Sequence, residues 1–298
     1  MTVMVESSDV CAIAVTYHPD SEFPARIERV LRQVGALVIV DNGSTAAETQ
    51  MLHTCAEHPA VTLVLNRANL GVAAALNIGI EHAVAGGYSW VLLLDQDSTV
   101  DDDMVQELLA TQAAFPHRGK LAVIGAGFAD VNKTSPPADQ AAHAEPWEEV
   151  KQVITSGSLL PLASHAAVGP FRDEFFIDYV DLDYCLRARA QGFHDIKTRK
   201  PLMSHAIGAY SQHRWLWKKK WTTNHSPDRR YYIARNDTVM LREYGGYAYG
   251  TWALKSLQRS YRLCKRIVFY ESNKTAKIIA VAQGWWDGIR GRLGPRRP

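Results

Sequence analysis

The sequence predicts an α/β fold built on a mostly parallel sheet flanked by helices, with a basic helical extension at its C-terminal end. Three observations carry this. Short apolar runs with no polar alternation, at Val10–Val15, Ala36–Val40, Val61–Leu65 and Trp90–Leu94, read as strands buried on both faces. Segments of helical length separate them, the spacing of consecutive βαβ units and hence of parallel strands. From Trp252 onward, cations interleave with aromatic and aliphatic residues, a change of character from the first half.

The elements follow in order. After the first strand, Thr16-Tyr17-His18-Pro19 is a loop, and Ile27, Val30, Leu31 and Val34 mark one face of a helix. The second strand ends in Asp41-Asn42-Gly43-Ser44, and a helix then runs to about His58. The third strand is followed by a polar loop, Asn66 to Gly71, and by an Ala-rich helix through Leu76, Ile80 and Ala83 to Gly86-Gly87. The fourth ends in Asp95-Gln96-Asp97-Ser98, whereas Asp101 to Asp103 read as the acidic first turn of a helix. Right-handed crossovers place all four strand ends on one edge. Beyond Lys120 the pattern loosens. Leu121 to Phe128 is a strand candidate, Ser135 to Pro146 a loop, and Val153 to Leu160 a strand with a polar centre. Phe175 to Asp181 leads into a helix stopped by Gly192. The expected organisation is one domain over residues 1–250 and a basic helical extension over 251–298.

Net charge is +2, too near neutral for nucleic acid to be the main partner. The four cysteines are scattered without metal-ligand spacing, which fits thiols in a reducing compartment. No signal peptide is visible, and no window approaches the ~20 apolar residues of a membrane span. The expectation is a cytoplasmic protein, with a peripheral place on the inner face of a membrane open to it.

Two carboxylates, Asp95 and Asp97, stand at the end of a buried strand, where ligands bind in open α/β sheets. Hard oxygen ligands there suit a divalent cation completed by substrate phosphates. Asp41 stands on the same edge; it is either a turn residue or an acceptor for a nucleobase N–H. Asn69 to Gly79 opens a helix with small residues, either a plain turn before a packed helix or a close approach for an anion. Asp178, Asp181 and Asp183 flank a helix start, as dipole partners or with one of them as a general base. His205 is a structural residue or a ligand. Arg229 to Asn236 is a solvated face or a clamp for diphosphate or glycan, a task the planar guanidinium suits.

These elements in this order resemble the family 2 inverting glycosyltransferases of the GT-A, Rossmann-like fold, and more narrowly the rhamnosyltransferase branch. The marks are Val15-Thr16-Tyr17, Val40-Asp41-Asn42-Gly43-Ser44, Asn69-x-Gly71 with Asn77-x-Gly79, and Leu94-Asp95-Gln96-Asp97-Ser98. Further marks are Thr155-Ser156-Gly157-Ser158, Phe175 to Asp181, Arg230-Tyr231-Tyr232, Arg235-Asn236 and Trp286-Asp287-Gly288. The resemblance implies dTDP-β-L-rhamnose as donor and a glycan, lipid-linked glycan or glycolipid as acceptor, with Mg²⁺ or Mn²⁺ as cofactor. It places Thr16, Tyr17, Asp41, Asn69, Gly71, Asn77, Asp95, Gln96 and Arg230 on the donor, Asp97 and His205 on the metal, and Ser156, Gly157 and Asp178 on the acceptor. Asp181 matches the catalytic base, although the family more often has Glu-Asp where this chain has Val180-Asp181. The basic tail is read as a helix on an anionic membrane surface, or as one packed on the protein itself. The rival readings are a UDP-hexose donor and a non-catalytic sugar-nucleotide scaffold. A nucleotidyltransferase would need a Gly-rich, cation-bearing loop after the first strand, which Thr16-Tyr17-His18-Pro19 lacks.

Overall fold

The computed structural model describes residues 5–129, 145–204, 211–215, 218–222, 224–245 and 252–297. Contacts divide the chain into two compact units, Met1–Phe171 with Tyr184–Ala206, and Arg172–Asp183 with Ile207–Pro298. Composition groups the chain at residue 250; contact density instead groups the helix before that point with the helices after it.

The first unit carries the sheet. Strands β1 (Val10–Thr16), β2 (Ala36–Asp41), β3 (Val61–Leu65) and β4 (Trp90–Asp95) alternate with helices α1 (Phe23–Leu31), α2 (Ala46–Cys55) and α3 (Val72–Ala85). All four strands are mutually parallel in the order β3-β2-β1-β4, as the βαβ spacing predicts. Every residue of β1 is buried. One set of alternate side chains, Val10, Ala12 and Ala14 with Leu37, Ile39, Leu92 and Leu94, joins Phe23, Ile27 and Val30 of α1 in the core. Next come β5 (Thr99–Val100), α4 (Met104–Ala114), β6 (Leu121–Ala129), β7 (Trp147–Glu149), β8 (Ser158–Pro161), α5 (Leu162–Val168), α6 (Val180–Ala190, whose residues up to Asp183 are grouped with the second unit) and β9 (His194–Ser204). Here the sheet turns mixed: β8 is antiparallel to β4 and β6, while β9 is parallel to β6. The expected loop at Ser135 to Pro146 lies outside the described residues except for its last two.

The expected strand Val153 to Leu160 is corrected to Ser158–Pro161. Gly157 takes φ 77°, outside the extended conformation of a strand, and a Cβ there would stand 2.3 Å from Met203 Sδ. Ser158 N and Oγ both bond to Thr155 O, closing the chain into a turn before the strand begins. Asp101 and Asp102 precede α4 and Asp103 is its N-cap, so the acidic cluster sits at that helix start as expected.

The second unit holds the hairpin β10 (Ser211–Trp215) and β11 (Lys218–Thr222) and three helices, α7 (Pro227–Tyr244), α8 (Trp252–Tyr270) and α9 (Lys274–Arg290). Pro227 at the first position and Ser226 Oγ, which accepts from Arg229 N at 3.2 Å, start α7. Helix α9 packs along α7 at backbone distance. A Cβ on Gly284 would lie 2.4 Å from Tyr231 O, and one on Gly288 would lie 2.7 Å from Arg235 O. Tyr231 Oη donates to Asp287 Oδ2 at 2.9 Å beside this contact. Trp286-Asp287-Gly288 is thus where α9 is keyed to α7.

Candidate functional site

In the first unit the strand order reverses between β1 and β4, and beyond the carboxyl ends at such a reversal open α/β sheets form their ligand crevice. The register pairs Thr16 with Asp41 and Val15 with Asp95, so Thr16, Asp41 and Asp95 reach one edge together. Gln96 bridges the crevice. Its Oε1 accepts from Tyr17 N at 2.7 Å, and its Nε2 donates to Tyr17 O at 3.1 Å. One amide thereby satisfies both backbone groups of Tyr17 and leaves that ring half-exposed at the mouth of the crevice.

Asp41 is 1% exposed, and its carboxylate is occupied on both oxygens. Oδ1 accepts from Thr16 Oγ1 at 2.9 Å and Ser44 Oγ at 2.5 Å; Oδ2 accepts from Gly43 N at 3.0 Å and Ser44 N at 2.9 Å. Four donors fill the four lone-pair positions of a carboxylate. A nucleobase N–H would reach Asp41 only if the mobile Ser44 hydroxyl gave way. Ser44 Oγ in turn accepts from His18 N at 2.9 Å, so the loops after β1 and β2 are one bonded body.

Asn42 extends this body. It is buried, donates from Nδ2 to Gly71 O at 3.1 Å, and accepts at Oδ1 from Asn66 Nδ2 at 2.9 Å. Asn69 Oδ1 accepts from Gly71 N at 2.9 Å, the Asx turn that opens α3. Asn77 lies further along α3 and bonds both Phe171 O (2.8 Å) and Phe171 N (3.0 Å), holding a segment 94 residues away. Asn69 and Gly71 thus flank the loop that Asp41 and Asn42 organise, whereas the Asn77 amide bridges to Phe171.

Asp97 is exposed and Asp95 half-buried at the strand end. Ser156 supports them from below: its Oγ accepts from Asp95 N at 3.3 Å and shares a short hydrogen bond with Ser98 Oγ. Gly157 N donates to Leu93 O at 2.8 Å. Both Ser156 and Gly157 are buried, so what the geometry gives them is the shape of the Asp95–Ser98 turn. Arg26 of α1 pairs bidentately with Asp20, reaches Gln96 O at 3.1 Å, and is further raised in basicity by the nearby Asp97 charge. Among the described residues no three His, Cys, Asp or Glu side chains gather into a cage. The donor set that remains, two hard carboxylates on an open edge, fits a hard divalent cation that takes its other ligands from phosphates and water. His205 lies outside the described residues.

The second unit holds the other candidates. Phe176, Asp178 and Tyr179 all adopt positive φ, at 65°, 64° and 69°. Non-glycine residues hold such angles only where their surroundings over-determine them. Two buried side chains of α7 do so here. Asn236 Nδ2 donates to the carbonyls of Phe175, Ile177 and Asp178 at 3.0, 2.9 and 2.9 Å, and Arg235 Nη2 donates to Glu174 O and Phe175 O at 2.9 Å each. Asp178 is gripped by Arg229 through Nε and Nη2, both at 3.2 Å. Tyr179 Oη donates to Asp237 Oδ1 at 2.9 Å and accepts from Arg259 Nη1 at 2.8 Å; burial first, then the Asp237 charge, pushes its phenol far up. Asp181 stands half-buried in the first turn of α6, and its Oδ1 accepts from Leu182 N at 2.8 Å.

Arg230 is 4% exposed and ion-paired with Glu271, which also meets Lys277 Nζ at 3.0 Å. Its guanidinium is therefore an internal group of the helical unit. Burial, reinforced by Arg229, Arg230 and Lys277, pulls the neighbouring His225 down to about 3, so that imidazole stays neutral.

Sequence reasoning left out Asn42, Ser44, Ser98 and Arg26. Asn42 and Ser44 carry a signal, since both stand in the Asp-Asn-Gly-Ser run. Arg26 has none, because its partner Gln96 lies 70 residues away.

The chain matches the family described as Glycosyl transferase family 2 over residues 11–171. It is 27% identical to the dTDP-rhamnosyl transferase RfbF of Shigella flexneri, over 98% of this chain and 99% of that protein. It is 26% identical to the galactofuranosyltransferase GlfT1 of Mycolicibacterium smegmatis, over 53% of this chain and 54% of that one. Among solved structures, S. aureus TarS 1–349 in complex with UDP-GlcNAc superposes with a TM-score of 0.60 at 14% identity, covering 94% of this chain and 81% of that chain. The mannosyltransferase PcManGT from Pyrobaculum calidifontis, in complex with GDP-Man and Mn2+, gives 0.57 at 16% identity, covering 94% and 87%. The fold is that of the GT-A glycosyltransferases.

Proposed function

The chain belongs to glycosyl transferase family 2, and from that premise we propose that it transfers L-rhamnose from dTDP-β-L-rhamnose to a hydroxyl of a glycan, lipid-linked glycan or glycolipid, with inversion. The observation that carries the choice of sugar is the match to the Shigella rhamnosyl transferase along nearly the whole of both chains. The β1/β4 crevice supports the choice of a nucleotide donor, because it stands at the point where the strand order reverses.

In this reading the base lies against the Tyr17 ring, which Gln96 holds at the mouth of the crevice. Thr16, Asp41, Asn69 and Gly71 form the rim, with Asp41 acting through the loop it closes. Asp95 and Asp97 serve the ribose and the metal-bound diphosphate, and Asp97 and His205 are the residues for Mg²⁺ or Mn²⁺. When bound, that cation offsets the charge building on the leaving diphosphate. Asp181 takes the proton of the acceptor hydroxyl as that oxygen attacks the anomeric carbon from the side opposite the diphosphate, which inverts the centre. Asp178, Ser156 and Gly157 serve the acceptor side, the last two as supports of the Asp95–Ser98 turn. Arg230 contributes from inside the helical unit, through its pair with Glu271. A lipid-linked acceptor would be met at a membrane surface, so the proposed station is peripheral on its inner face.

The test is donor binding and slow donor hydrolysis with Mg²⁺ or Mn²⁺, across dTDP-rhamnose, UDP-galactofuranose, UDP-glucose and UDP-N-acetylglucosamine, for wild type and Asp97→Ala. Metal-dependent turnover of dTDP-rhamnose alone, lost in the variant, is the expected result. Preference for a UDP-sugar would overturn the rhamnose assignment, and binding without turnover even with acceptors would overturn catalysis.

A further inference from the structure

The exposed apolar surface of this protein is not evenly spread. Among the described residues twelve large apolar side chains are exposed, and eight of them lie on α8 and α9. On α8, Leu257 (69% exposed), Tyr261 (67%) and Val268 (43%) are spaced by four and seven residues, which puts them on one stripe of a helix. Helical rotation sets that stripe about 80–120° away from the buried Ile267, so it is a flank left over after α8 has packed inward. On α9, Ile278 (42%) and Ile289 (63%) form the corresponding flank, with Trp286 (53%) beside them. Cys264 from the α8 stripe and Trp285 from the α9 stripe pack against the same small cluster around Ile267 and Val281. The two flanks therefore meet over one seam and form a single apolar patch.

Charge surrounds the patch and has one sign. Helix α8 carries Lys255, Arg259, Arg262, Lys265 and Arg266 and no carboxylate. Arg262, Lys265, Arg266, Lys274 and Arg290 are exposed, and Arg290 lies 4.2 Å over the Trp286 ring. The nearby carboxylates are turned inward: Glu271 is 2% exposed and paired with Arg230 and Lys277, and Asp287 accepts from Tyr231 Oη. A symmetric contact between two copies through this face would oppose like charges, so the patch selects against a second copy of the chain.

We propose that the joined outer flanks of α8 and α9 are a docking surface for an anionic lipid bilayer. Leu257, Tyr261, Val268, Ile278, Trp286 and Ile289 enter the headgroup region while the surrounding cations meet acidic headgroups. Apolar insertion with a cationic rim is the pattern by which amphipathic helices lie in a membrane interface. This surface gives the peripheral station proposed above its means, and it rests on that reading for its purpose but not for its test.

The experiment is sedimentation of the full-length protein with vesicles of phosphatidylcholine alone and of phosphatidylcholine with 30% phosphatidylglycerol. Sedimentation velocity without vesicles and metal-dependent hydrolysis of dTDP-rhamnose in solution are measured in parallel. The variants are Leu257→Ser with Ile289→Ser, and Arg262→Glu with Lys265→Glu, all at exposed positions that need no refolding of a core. The expected result is binding to the anionic vesicles only, weakened by salt, and weakened about tenfold or more in each double variant, with hydrolysis in solution unchanged. Equal binding to both vesicle types, binding to neither, or a vesicle-free dimer that either variant dissociates would overturn the proposal. Because hydrolysis is read without vesicles, failure of the lipid arm leaves the donor assignment standing, and the converse holds.

Discussion

Replacing Asp41 by alanine and by asparagine separates the shape of its loop from its charge. The carboxylate takes two backbone amides on Oδ2 and two hydroxyls on Oδ1. Alanine leaves the Gly43 and Ser44 amides without their acceptor in a partly buried turn, and each orphaned donor costs about 1–3 kcal/mol. Partial burial favours the lower end of that range, so Asp41→Ala should cost about 2–4 kcal/mol. Asparagine can keep its Oδ1 on the two amides and turn Nδ2 toward the hydroxyls of Thr16 and Ser44, which rotate to accept. What it loses is charge assistance, about 1 kcal/mol. Urea unfolding followed by tryptophan fluorescence gives the two stabilities, and calorimetric titration with dTDP gives the ligand affinity. Alanine should be the worse by ~1–3 kcal/mol, and dTDP affinity should fall in the same order. If both variants unfold within about 0.5 kcal/mol of wild type, the four bonds do not carry the loop and the reasoning is refuted.

Three further outcomes are expected. Asn236→Ala removes the donor that three carbonyls share; it should destabilise by about 2–3 kcal/mol and lower kcat more than it raises KM for the donor. Steady-state kinetics beside urea unfolding checks this, and a stability loss with kcat intact would show that the Phe175–Asp178 loop does not set the position of Asp181 in the next helix. Asp97→Asn should cut metal-stimulated donor hydrolysis by roughly a hundredfold or more, since the charge stabilisation at stake is several kcal/mol; a Mn²⁺ titration that still stimulates the variant fully would contradict it. Burial pushes the Asp195 carboxyl up from 3.8 to about 7, against the opposing pull of Arg189. Between those values the native state holds a proton that the unfolded chain has released, so this contribution to stability is full below pH 4 and is lost as pH rises toward 7. Asp195→Asn should therefore flatten the stability profile over that window and stabilise above pH 7, and an unchanged slope in a denaturation series from pH 4 to 8 would disprove it.

The parallel half of the sheet could be read from the sequence because burial on both faces leaves a plain mark: β1 to β4 coincide with the apolar runs to within a residue. The shared edge of Thr16, Asp41 and Asp95 followed from the same regularity, since four parallel strands of similar length end together. The second half is mixed and short-stranded, and there local pattern misled. Val153 to Leu160 looks continuous, yet Gly157 breaks it with a positive φ, and the Met203 contact that excludes a side chain there lies far off in sequence. Several bonds that shape the site join residues far apart in sequence, Gln96 with Tyr17 and Asn77 with Phe171, and no local signal carries them. Arg230 was legible as a cation suited to phosphate, but its burial against Glu271 depends on helix packing that the sequence pattern does not display.

The left-handed run at Phe176, Asp178 and Tyr179 bears on the order in which the protein assembles. Phe176 and Tyr179 do not favour such angles by themselves, and the side chains that hold the carbonyls of this loop, Arg235 and Asn236, lie more than fifty residues downstream. The loop can take its shape only after α7 has formed and docked, which makes it a late event in folding. It is also among the first features to relax when the helical unit loosens. Mild heat or low urea should then silence any activity that depends on Asp178 or Asp181 while the sheet, held by its own core, keeps its spectroscopic signature.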